Sequence, residues 1–95
     1  MVNNKPYQEI LISGGLVETV IRKFSTSINP EELKWHWDDE DRVVQAINET
    51  DWKIQLDNEL PRPIKSRICI PRGKWHRLIK GTVDLQVIVE KHRDI

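Results

Sequence analysis

The chain has a single cysteine, no excess of charge of either sign, no long apolar run and no stretch of helical periodicity, and each lack excludes something. With Cys69 alone, an intrachain disulfide is impossible. Fifteen basic residues balance fifteen acidic ones, and the basic ones are dispersed, so nothing steers the protein toward nucleic acid or an anionic membrane. No apolar run approaches the roughly 20 residues of a membrane span, and "MVNNKPYQEI" carries no signal-peptide pattern, so a cytoplasmic protein is expected. No segment of ten or more residues repeats its apolar positions at helical spacing, which leaves room for at most a helical turn at "PEEL" or "DDED".

What is present is period-two alternation broken by turn residues. "QEILIS" runs into Gly14-Gly15, "LVETVIRKFS" into a polar stretch and Asn29-Pro30, and "RVVQAI" into "NETD". "WKIQLD" places Trp52, Ile54 and Leu56 on one face, and "DLQVIVEK" places Leu85, Val87 and Val89 on one face. "LKWHW", "SRICI" and "KWHRLI" read as further short strands, whereas Pro61 and Pro63 make "NELPRP" a loop. Seven or eight short strands in 95 residues, with no linker or repeat, predict an all-β fold, a sandwich or closed barrel, as one domain over residues 1–95. A chain of this size buries a little over ~60% of its unfolded surface, so each large apolar residue matters. Cys69, inside Ile68-Cys69-Ile70, reads as a small packed residue rather than a reactive thiol.

Two histidines stand in matching settings. Alternation puts His36 on one face of "KWHW" with Trp35 and Trp37 on the other, and turns His76 away from Trp75 and Arg77. The acidic run at 38–41 is on base rates an exposed loop, and His92 a solvated surface residue. The tryptophans are core or interface mass, or indoles able to stack on a flat ligand.

"INPEELKWHWDDEDRVVQAI" followed by "IKSRICIPRGKWHRLIKGTVDLQVIVE" resembles the paired motifs of the cupin family, over about residues 26–91. Pro71, Gly73 and His76 fall on the Pro-x-Gly-x2-His core of the family's second motif; Lys65 and Lys80 replace its leading glycine and trailing asparagine. In the first motif, His36 and Asp38 take the two histidine positions, and the glutamate position falls on Arg42 or Val43; another register aligns Lys34, His36 and Glu40. The resemblance implies a small cupin-type β-barrel (jelly roll), a homodimer, and one divalent metal (iron, manganese, nickel or zinc) on His36, Asp38 and His76. Two imidazoles and a carboxylate make a usable facial set with open positions.

Arg42 opposes such an ion. A guanidinium cannot ligate, and at ~4 Å from a dication the repulsion is roughly 8 kcal/mol at an effective dielectric near 20 unless an acid pairs with it. Pairing with Asp38 replaces the metal cross-link in that case. The leading expectation is therefore a degenerate site, with His36, Arg42, His76 and Trp52 around a pocket for a small polar or anionic molecule. A metal-dependent oxygenase or isomerase and a non-catalytic structural or interaction protein are the alternatives.

Overall fold

The computed structural model of the chain describes residues 6–93. Eight strands appear in order: β1 Gln8–Ser13, β2 Val17–Phe24, β3 Asp41–Ala46, β4 Lys53–Leu56, β5 Arg62–Pro63, β6 Ile68–Ile70, β7 His76–Ile79 and β8 Leu85–His92. They form two antiparallel sheets, one ordered β1-β2-β8-β3-β6 and the other β5-β4-β7. The all-β sandwich expected from strand spacing is what the chain adopts, in keeping with the jelly roll that the motif resemblance implies. Among the described residues no helix is long and apolar enough to cross a membrane.

Register explains the core. Val20 pairs with Val89, Val89 with Val44 and Val44 with Ile68, so one buried β-branched row crosses the larger sheet. Opposite it, Trp52, Ile54 and Leu56 are buried from the smaller sheet. The period-two pattern of "WKIQLD" thus becomes one wall of the sandwich and that of β8 the other.

Three details differ from the strand reading, and a fourth agrees with it, since the sequence leaves room for a helical turn at "PEEL". "LKWHW" contributes only an isolated bridge, His36 to His76. "PEEL" forms a 3-10 turn over Pro30–Glu32, with Asn29 Oδ1 accepting the Glu31 amide as its cap. Pro63 lies in a strand after all: β5 is a two-residue edge pairing only with β4, where a missing N–H does no harm. Cys69 is exposed, because its neighbours Ile68 and Ile70 occupy the buried face of β6 and alternation turns the thiol outward.

Candidate functional site

One end of the sandwich is tied together by two loops. Pro71 to Lys74 makes a turn closed by the Lys74 amide on the Pro71 carbonyl (3.0 Å), with Gly73 at φ +79°, a conformation suited to glycine. The Gly73 amide then donates to the Asp38 carbonyl (2.9 Å), and Asp41 Oδ1 accepts the Arg72 amide (2.7 Å). Two residues after that turn, His76 enters β7 beside Leu56 and faces inward. Its backbone exchanges two hydrogen bonds with His36, at 3.0 and 2.8 Å. The bridge sets the imidazoles side by side, ring centres 4.3 Å apart.

The two rings are held alike. Nδ1 of His36 meets the Lys34 carbonyl at 2.9 Å, and Nδ1 of His76 meets the Lys74 carbonyl at 2.8 Å. A carbonyl only accepts, so Nδ1 carries the proton in each ring, and in the neutral ring Nε2 keeps the lone pair. Both Nε2 atoms point to Asp38: His76 Nε2 lies 3.1 Å from Oδ2 and His36 Nε2 4.0 Å from Oδ1. The three ligand atoms lie within 4.8 Å of one another.

Asp38 Oδ2 is buried and has no hydrogen-bond partner when the His76 ring is neutral, since a lone pair then faces a lone pair. A second ring proton or a cation resolves that contact. Burial raises the Asp38 pKa, but the bond to a doubly protonated His76, with the charges of Arg42, His76 and His36, outweighs it and holds the carboxyl below its ordinary value.

Arg42 comes from the opposite sheet, in register with Lys91 and Ile70. Its Nε and Nη2 reach Glu40 Oε1 at 2.9 and 2.8 Å, and Nη1 reaches Asp38 Oδ1 at 3.2 Å. The guanidinium is therefore neutralised, chiefly by Glu40, and Asp38 Oδ2 remains for His76, while His36 lies nearer the Oδ1 that Arg42 holds. With the rings neutral, Asp38, Glu40 and Arg42 leave the cluster net negative. Bonds of about 2.1 Å place adjacent ligand atoms roughly 3–3.5 Å apart; the His76–Asp38 separation of 3.1 Å matches this, while His36, 4.0 Å from the carboxylate, would draw in on binding. The tethered tautomers, the orphaned carboxylate oxygen and the local charge all fit a divalent ion on His36, Asp38 and His76.

A cavity of ≈ 370 Å³ opens beside this group and includes His36, Asp38, Arg42 and His76 in its walls. Trp52 is not among its lining residues. It is fully buried in the core, its ring 5.7 Å from Phe24, and its indole N–H donates to the Val83 carbonyl, so the expectation that it walls a ligand pocket is corrected. The alternation that groups it with Ile54 and Leu56 already carried the signal. Trp35, Trp37 and Trp75 are exposed and do not line the cavity either; Arg77 lies over the Trp35 ring at 4.8 Å.

Two functional roles escaped the sequence reading. Glu40 appeared there only as a ligand position in the alternative motif register, with nothing to mark it as the clamp on Arg42. Arg22 lines the cavity from β2, between Val20 and Phe24 on the inward face, and a lone charge on an apolar strand face was its signal.

No family model matches the chain, and no curated protein sequence does. Solved structures do. The chain superposes on DMSP lyase DddQ from Ruegeria pomeroyi with a TM-score of 0.77 at 10% identity, covering 95% of this chain and 48% of that one. KdgF from Halomonas sp. gives 0.74 at 14%, covering 99% and 86%. Hydroxypropylphosphonic acid epoxidase from S. wedmorenis gives 0.69 at 13%, covering 90% and 50%. The chain thus spans about half the length of the lyase and the epoxidase. At these identities the likeness establishes the fold, and the fold is that of the cupins.

Proposed function

We propose that the protein binds one divalent transition metal through His36, Asp38 and His76, acts through it on a small molecule held in the adjoining cavity, and works as a pair of identical chains. The observation that carries the first part is the approach of two Nε2 lone pairs, fixed by their Nδ1 tethers, to the Asp38 carboxylate, whose buried Oδ2 faces His76 and lacks a donor. Tethers of this kind orient metal-binding imidazoles. Iron, manganese, nickel and zinc all accept such a set, and the Fe(II) form of one fold neighbour, HppE, lends iron some support. A metal held there supplies Lewis-acid or redox chemistry at its open positions.

The chain's own residues have separate parts. His36 and His76 present fixed nitrogens. Arg42 grips Oδ1 of Asp38 and so orients Oδ2, while Glu40 cancels most of the guanidinium charge that would repel the ion. Apolar walls beyond them exclude water from the substrate.

Pairing of chains is supported by β1, an edge strand whose six residues are all exposed, with Ile10 at 50%, Leu11 at 62% and Ile12 at 56%. Edges of this kind are ordinarily covered or charged.

A second reading has its own observation. The 3.2 Å contact of Arg42 with Asp38, together with a second proton on His76, cross-links the site without any ion, and the cavity then binds a polar or anionic ligand alone. Elemental mass spectrometry of untagged protein purified without chelators, beside His76→Ala, separates the two. Near-stoichiometric metal that is lost in the variant is expected. Absence of metal after incubation with each of the four ions overturns the metal reading and leaves the second. Chelation of loaded protein is expected to lower its melting temperature, since an ion at a hundred times its Kd stabilises by about 2.7 kcal/mol.

A further inference from the structure

The cavity is mostly apolar, with polar groups at the His36–Asp38–His76 cluster and a second charged group, Arg22, in register with Val87. Away from His36, Asp38 and His76 its walls are Phe24, Val44, Ile54, Leu78, Val87 and Val89, contributed by both sheets. A sugar or other polyol seated there gives up water at each hydroxyl and finds few partners in exchange.

Both guanidiniums that reach the cavity are already engaged. Arg22 Nε donates to Glu9 Oε1 at 2.8 Å, and its guanidinium carbon lies 4.2 Å from the centre of the Tyr7 ring. Arg42 is held by Glu40 and Asp38. A phosphate dianion, which wants a forked cation, would have to displace one of these carboxylates. Lys34, by contrast, lines the cavity near His36, is exposed and has no ion-pair partner among the described residues. Glu32 also lines it, and its charge disfavours a second anionic group on the ligand.

We infer that the cavity takes a small organic monoanion with an apolar body, a carboxylate of the alkanoate class, its head group between Lys34 and the His36–Asp38–His76 cluster and its body between the sheets. The inference deepens the metal-site reading and rests on it for the sign of the charge at the head group: a dication on Asp38 turns the cluster from net negative to net positive.

Titration calorimetry on the full chain tests it, with butanoate, hexanoate, octanoate, glucose 6-phosphate and inorganic phosphate, in Mn(II)-supplemented and chelator-treated samples. Kd is expected to fall about fourfold for each added methylene until the cavity is full. Lys34→Glu, an exposed substitution, is expected to weaken every alkanoate tenfold or more, and glucose 6-phosphate to bind no better than inorganic phosphate. A flat chain-length series, or glucose 6-phosphate binding more tightly than hexanoate, overturns the inference even when Mn(II) binds. A steep series in chelator-treated protein that takes up no Mn(II) supports the cavity's preference, with Lys34 as its counter-charge, while the metal reading fails.

Discussion

Asp51 shows how much one exposed carboxylate can organise. Its Oδ1 accepts the Thr82 amide at 2.8 Å, and its Oδ2 accepts the Thr82 hydroxyl at 2.6 Å. Those bonds, the hydroxyl's first, hold its pKa below the ordinary value. A carboxyl that is more acidic folded than unfolded contributes stability above its unfolded pKa, near 4, and loses it as the pH falls through the folded value. Thr82→Ala is therefore expected to move the Asp51 titration back toward the ordinary value, as followed by carboxyl-carbon NMR. The stability gap between the variant and the natural chain should be present at pH 7 and shrink below about pH 4. A gap unchanged down to pH 2 would contradict this. At the same scale the site was half legible. His36, Asp38, Arg42 and His76 could be named because motif spacing marks them, and the structure brings all four together. Motif spacing in its other register marked Glu40 too, but not as the partner of Arg42, because an acidic run looks solvated until the fold shows which member turns toward the guanidinium. Trp52 was misplaced because an indole suits a ligand and a core equally well, and only its neighbours on the strand decide.

Among the elements, the Pro71–Lys74 turn does most to place the site. Gly73 has φ +79°, and an added Cβ meets nothing within 4 Å, so the demand for glycine there is conformational rather than steric. Gly73→Ala is expected to cost about 1–2 kcal/mol in denaturant unfolding, and Gly73→Asn less, since asparagine tolerates the left-handed region. Equal costs for the two would point to a different origin. The strands were readable from alternation, β2, β4 and β8 above all. The stretch 33–37 was not, because its ladder is incomplete: the Lys34 carbonyl is engaged by the His36 imidazole, and only His36 bridges to another strand. Nor was β5, since a proline ends a central strand but is tolerated on an edge, and edge position is a property of the sheet, not of the segment.

At the scale of the whole molecule, β1 is the exposed margin of the larger sheet. It carries a register shift between Leu11 and Ser13 where it pairs with β2. Two copies meeting there would cover Ile10 and Ile12. Light scattering behind size exclusion is expected to give twice the 11.2 kDa of one chain, and Ile10→Lys with Ile12→Lys a single chain of unchanged circular dichroism. A natural chain that runs as a monomer at high concentration would remove the pairing.

The reciprocal bonds between His36 and His76 have a kinetic meaning as well. Each amide is sealed by the other residue's carbonyl, so neither proton can exchange with solvent unless the same pair of contacts opens. The two halves of the site, forty residues apart in the chain, therefore share one clock: they breathe as a unit, and whatever steadies one imidazole slows the opening of both.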